Sequence, residues 1–439
     1  MNSVGYRYHI TVIVHFILWT FLSVQICKNV LFQDSTNVSP FGISLESPIP
    51  GPSVMRLTIV DFASHFNFVK NAWHGHTTVN SGASIFSLEN QLNETSAWVN
   101  GKLHLALPFA YSPTMLWILA PLVLFSGYFA FCLFNIAGLL AVWWLTHPSR
   151  CRHGVGLLAF FSPLSQTCFA LGQTALLTGA GLLLIAEKTQ LKNRTVGWRI
   201  PIITGAILWA LTAKPPLALT AVAVLLGLRE WRPLLVALLL TLFSTLAITP
   251  VLGTNWTYDY MQLIDSYDLV NADPAYAWSL VPSHMANLRG VLSVDFGLPD
   301  DISSRISNVA WFISLTCIAA FCTRSRFSDS AIWSLGILSY LIFCSHVSST
   351  EELQIVLLLP LGVTMKNRLS WQELVILITI PLLPFASPAI GAFEGYRSVL
   401  FIMNVSIVVF ILSVMNRIAQ QGTFTYSDPK QQDCNYVER

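Results

Sequence analysis

Apolar runs long enough to cross a bilayer recur along this chain, and they leave little choice of architecture. They fall at about 9–30, 128–146, 154–170, 174–187, 200–213, 215–228, 233–252, 308–323, 329–345, 353–365, 371–390 and 397–418. About 20 apolar residues span a hydrocarbon core as a helix, and fewer suffice for a thin or broken span. The runs lack the period-2 alternation of barrel strands. Lipid offers no hydrogen bonds to an exposed backbone, so such segments must be helices. With 54% hydrophobic and 10% charged residues among 439, an ordinary soluble domain is excluded. The expected fold is an all-α polytopic membrane protein of about twelve transmembrane helices.

The segment 108–126 is also apolar, but Pro108, Pro113, Pro121 and Gly127 interrupt it. It is read as a helix that lies at the membrane surface or dips in. The basic residues test that choice, because cytoplasmic loops carry an excess of Lys and Arg. With twelve spans and a cytoplasmic N-terminus, Arg150/Arg152, Lys188/Lys192/Arg194/Arg199, Arg229/Arg232, Arg324/Arg326 and Lys366/Arg368 all fall inside. Counting 108–126 as a span puts every later cluster outside. Both termini are therefore expected in the cytoplasm. Residues 1–418 form one membrane-embedded domain, and 419–439 form a polar cytoplasmic tail. Two long outer loops result, about 31–107 and 253–307, the first carrying interfacial helices. The N-terminal run has no small-x-small cleavage site, so it is read as an uncleaved span.

The cysteines have no zinc spacing and read as buried apolar residues. His65, His74 and His76 match no known metal pattern, so no metal site is assigned. No phosphate-binding glycine loop is present, and no room exists for a cytoplasmic nucleotide-binding domain. Nothing points to nucleic acid.

On this topology the unusual polar groups share the outer side. Asp61 and His65 lie in the first loop, where 62–73 looks amphipathic, and a carboxylate is favoured at a helix start. Tyr111-Ser112-Pro113 follows near the end of that loop. Gln173 and Lys214 occupy outer turns, Lys214 within Leu211-Thr212-Ala213-Lys214-Pro215-Pro216. A lysine between apolar spans snorkels or meets an anion. Asn287 and Arg289 lie in the second loop, Glu351 and Glu352 at a later outer turn, and Arg397 at the start of the last span. Each has a plain alternative. Asp61 can cap a helix, Gln173 can bond a neighbouring helix, and the glutamates can flank a span.

In order, an N-terminal span, a loop with Asp-Phe and a following helix, Phe109-Ala110-Tyr111-Ser112-Pro113, Gly172-Gln173 and Ala213-Lys214-Pro215-Pro216 resemble the integral-membrane glycosyltransferases of family 87. These belong to the GT-C superfamily, which uses polyprenyl-phosphate sugars. The resemblance covers about 55–365. Tyr-Ser-Pro stands where Tyr-Pro-Pro is common, and Ser345 to Leu353 resembles a late Ser-Pro-x-x-x-x-Asp-Leu region, with glutamate for aspartate and no proline.

The resemblance implies that Asp61 is the general base of an inverting transfer. A hexose, mannose favoured, would pass from a polyprenyl phosphate to a glycan or glycolipid hydroxyl on the extracytoplasmic face of the plasma membrane. Lys214, with Arg289 or Arg397, would stabilise the leaving phosphate. Gln173, Tyr111, His65, Glu351 and Glu352 would help bind donor sugar or phosphate. The donor is a lipid-linked sugar. No cofactor is specified, and a divalent metal is compatible with the chemistry. The competing reading is a multi-pass transporter or lipid-linked-sugar flippase. It predicts internal repeats and midplane charges, whereas here the polar groups gather at the outer turns.

Overall fold

The computed structural model describes residues 60–73, 86, 111–146, 174–190, 197–272, 287–321 and 329–347, and among them the regular structure is helical with no strand. The helices are α1 Val60–Trp73, α2 Thr114–Leu119, α3 Gly127–Thr146, α4 Ala175–Gln190, α5 Arg199–Leu211 and α6 Pro215–Gly227. They continue with α7 Trp231–Leu252, α8 Trp256–Ala272, α9 Asp300–Phe321 and α10 Asp329–Phe343. A 3₁₀ turn, Ala120–Leu124, extends α2, and a short helical turn, Leu288–Gly290, runs into a π turn, Val291–Asp295.

Two of these helices, α7 and α9, are long and apolar enough to cross a membrane. The helices of α5, α6 and α10 are apolar but shorter. The spans expected at 9–30, 154–170, 353–365, 371–390 and 397–418 lie outside the described residues. Pro113, one of the prolines expected to interrupt 108–126, is the N-cap of α2. Pro121 opens the 3₁₀ turn, and the continuous helix Thr114–Leu124 is too short to span. The second long outer loop contains α8. The helix expected at 308–323 begins at Asp300. Asp300 and Asp301 in its first turn suit the positive end of the helix dipole, but that polar turn hides the start from a hydropathy reading.

Two apolar cores hold the elements. One forms between α4, α5, α6, α9 and α10, around Leu176, Leu208, Leu217, Val224 and Trp333. The other lies beneath α1, where Phe62, Phe66 and Val69 meet Met115, Leu119, Phe131 and Phe134 with Ile248 and Trp256. The buried positions 62, 65, 66, 69 and 72 of α1 follow a helical stripe. Phe62 stacks on Phe66 and meets Phe131 edge-on, with 5.5 Å between centroids in each pair. The turn Thr212–Lys214 joins the two cores, for Leu211 belongs to the first and Ala213 to the second.

α7 is apolar on all sides. Leu238, Leu242, Phe243 and Leu246 are exposed, whereas Pro233, Ala237, Ser244 and Ile248 are buried. Small residues let helices approach closely where lipid removes the hydrophobic drive between them. Gly205 shows this. A Cβ there would lie 2.5 Å from Val236 Cβ and 2.8 Å from the Pro233 carbonyl, so only glycine lets α5 and α7 meet. Hydroxyls within apolar helices turn back on their own carbonyls, as Thr220 does to Pro216 and Thr241 to Ala237.

Candidate active site

The turn before α6 is the centre of the site. Lys214 is the N-cap of α6, with φ −118° and ψ 85°, and Pro215 and Pro216 follow it. Proline suits the first helical positions because its fixed φ is helical and the missing N–H is not needed there. The turn closes through Lys214 N–H to the Leu211 carbonyl, and the Lys214 carbonyl accepts from Leu217 and Ala218. A half-buried lysine therefore caps the positive end of a helix. Two like potentials add there, which suits an anion.

The segment Tyr111-Ser112-Pro113-Thr114 packs along this turn. Ser112 N–H donates to the Ala213 carbonyl at 3.2 Å, and Ser112 Oγ donates to the Thr212 carbonyl at 2.6 Å. Thr114 and Thr212 hydroxyls are 2.8 Å apart. Tyr111 Oη lies 3.1 Å from Thr174 Oγ1, which brings in the start of α4. His65 of α1 meets Tyr111 edge-on, with ring centroids 4.3 Å apart. Burial, and then the Lys214 charge, lower the His65 pKa to about 3, so its imidazole is neutral at physiological pH. Lys214 also lies within electrostatic reach of Cys344 after α10.

Asp61 forms the first turn of α1, one helical turn before His65. Thus His65, Tyr111 and Lys214, read separately from the sequence, share one end of the helix bundle with the start of α1. Gln173, Glu351, Glu352 and Arg397 lie outside the described residues. Gln173 directly precedes Thr174, and Glu351 lies four residues beyond Val347.

Arg289, one of two arginines considered for the phosphate, is held by groups of the protein itself. It is buried, and its Nε and Nη2 donate to the two oxygens of Asp300 at 2.8 and 2.6 Å. Its Nη1 donates to the Ser345 carbonyl at 3.1 Å. Beside it Asn287 Nδ2 donates to the Cys344 carbonyl at 2.8 Å and accepts from Gly290 N–H. Asn308 receives the Ser345 hydroxyl at 2.8 Å. Together these groups hold the chain leaving α10, where carbonyls lack helical partners. This geometry supports a positioning role for Arg289.

Thr174, Thr212 and Asp300 were not singled out from the sequence. Asp300 carried a signal, an acid at a helix start, but nothing local says that its partner is an arginine eleven residues earlier. The hydroxyls of Thr174 and Thr212 look like ordinary span residues until the turns are brought together.

Beside Ser112 and Thr212 opens a cavity of about 350 Å³ between α2, α6 and α7. Trp117, Pro215, Leu219 and Val222 give it a mostly apolar wall, with the hydroxyls of Thr241 and Ser244. Among the described residues no group of His, Cys, Asp and Glu has the makings of a metal site.

A bundle of apolar helices, two of them long enough to cross a bilayer, suits a membrane protein. The sequence profile of glycosyltransferase family 87 matches residues 109–350, more than half of the chain. The protein belongs to that family, which implies glycosyltransferase activity and is consistent with the GT-C superfamily. No curated protein and no solved structure matches the chain.

Proposed function

We propose that the protein transfers a hexose, mannose favoured, from a polyprenyl phosphate to an acceptor hydroxyl on the extracytoplasmic face of the plasma membrane. The observation that carries this reading is the placement of Lys214 at the α6 N-terminus, beside the Tyr111–Ser112 segment and the mostly apolar cavity. The phosphate binds at the ammonium, and the first units of the lipid chain enter the cavity. Arg397 is the second cation of the proposal. Arg289, tied to Asp300, orients the segment that leads to Glu351 and Glu352.

The acceptor oxygen attacks the anomeric carbon as the bond to the phosphate oxygen breaks. Asp61 takes the hydroxyl proton, and the electron pair of the broken bond leaves on polyprenyl phosphate. With one displacement and no covalent intermediate the anomeric configuration inverts. Lys214 stabilises the charge that develops on the leaving group. Tyr111 and neutral His65 form the wall behind it, and Gln173 and the two glutamates hydrogen-bond the sugar.

The test is transfer by purified protein supplied with radiolabelled polyprenyl-phosphate sugars. Asp61→Asn is expected to lose about 10²–10⁴-fold in rate, the usual worth of a general base, while still inserting in membranes. Full activity in that variant removes Asp61 from the mechanism.

A further inference from the structure

A second cavity, also about 350 Å³, lies at the other end of α5 and α6 from Lys214. It is framed by the end of α4, the start of α5, the end of α6 and the start of α7. With α5 thirteen residues long, the two sites are about 20 Å apart along the helix axis. Lys188, Thr204, Arg229, Glu230 and Arg232 supply its polar wall. Three cations thus face one carboxylate.

Three observations say that this wall is built for a ligand. First, Thr204 is fully buried and its Oγ1 has no hydrogen-bond partner. An orphaned buried hydroxyl is destabilising, and a helical threonine ordinarily bonds the carbonyl four residues back. Second, Arg229 has φ +58°, in the left-handed region. It ends α6 by donating its N–H to Leu226, while Glu230 N–H donates to Leu225. This helix-ending pattern normally uses glycine at the left-handed position. An arginine there is strained, which points to a use for its side chain. Third, the Arg232 guanidinium is held over two indoles, 5.4 Å from the Trp198 centroid and 5.6 Å from that of Trp231. The rings stand nearly perpendicular, which fixes the planar cation before any ligand arrives.

We propose that this cavity binds the phosphate headgroup of an anionic membrane lipid. Lys188, Arg229 and Arg232 bind the phosphate oxygens, and Thr204 donates its hydroxyl. A lipid fits better than a free phosphate because of what borders the site. Trp198 and Trp231 are exposed, as tryptophan is at the membrane–water boundary. From there Leu235, Leu238 and Leu242 form an exposed apolar track along α7 on which acyl chains can lie. The basic clusters read from the sequence put this end in the cytoplasmic leaflet, where anionic lipids concentrate.

The test uses the full chain in nanodiscs. Wild type is expected to melt higher when phosphatidylglycerol replaces part of the phosphatidylcholine, and native mass spectrometry is expected to retain phosphatidylglycerol on the protein. Arg232→Gln is expected to weaken that binding by about tenfold or more, as loss of a charged hydrogen-bonding partner does. Arg229→Gly guards against a folding artefact. It relieves the strained backbone, so it is expected to melt at or above wild type in phosphatidylcholine while losing response to phosphatidylglycerol. An equal response of wild type and Arg229→Gly overturns the proposal. So does the same stabilisation by inorganic phosphate or pyrophosphate in neutral nanodiscs, which assigns the site to a free anion instead.

Discussion

Lys214 stands where a lysine is least favoured, half-buried between apolar helices and at the positive end of one of them. With the donor phosphate proposed as its partner in the reaction, Lys214→Gln is expected to cut kcat/KM by about 10²-fold, the scale of a lost charge stabiliser. His65 gives an independent check. Its folded pKa, about 3, lies below the 6.5 of an exposed histidine. Between these values the unfolded chain holds a proton that the folded chain refuses. Its contribution to stability is therefore complete above pH 6.5 and falls as pH drops toward 3, by about 1.4 kcal/mol per unit at most. His65→Gln is expected to flatten thermal unfolding profiles in that window relative to wild type. An unchanged slope contradicts the buried, neutral histidine.

At the scale of elements, two contacts set the site. The α5–α7 approach through Gly205 packs the helix that leads into Thr212 and Lys214. Gly205→Leu is expected to destabilise the protein by about 1–3 kcal/mol through overpacking, seen as a lower Tm. The Arg289–Asp300 pair does the same for the chain after α10. Arg289 is buried and Asp300 is 43% exposed, so Asp300→Ala strips a buried cation of its partner. Its expected cost is about 1–3 kcal/mol, below the range of a fully buried pair. If Arg289 positions rather than binds, Arg289→Lys lowers kcat more than it raises KM for the lipid donor. A large rise in KM with kcat unchanged returns Arg289 to the phosphate.

For the whole molecule, function depends on which end faces which compartment. α5 and α6 run in opposite directions, so Lys214 and the Arg229–Arg232 turn lie at opposite ends of the same pair. Single cysteines placed at exposed Gly253 and Gly197 are expected to react with a membrane-impermeant reagent from opposite sides of sealed vesicles. Gly253 is expected to label from outside. Labelling of both from one side breaks the twelve-span topology. The membership in a glycosyltransferase family sets the chain apart from a transporter.

The sequence by itself determined the class of fold, because lipid allows an apolar run only one way to satisfy its backbone. It also showed the amphipathic stripe of α1, the interruptions at Pro113 and Pro121, and Lys214 as a lysine between apolar helices. These are local properties, readable from neighbours in the chain. Only the tertiary structure joined Ser112 to Thr212 and Ala213 across a hundred residues, set His65 against Tyr111, and tied Arg289 to Asp300 and Ser345. Such contacts depend on how helices pack, and packing is decided by shape at places like Gly205, which carry no signal of their partner. For the same reason the sequence left Arg289 ambiguous, and only the packing shows that Asp300 and the Ser345 carbonyl hold it.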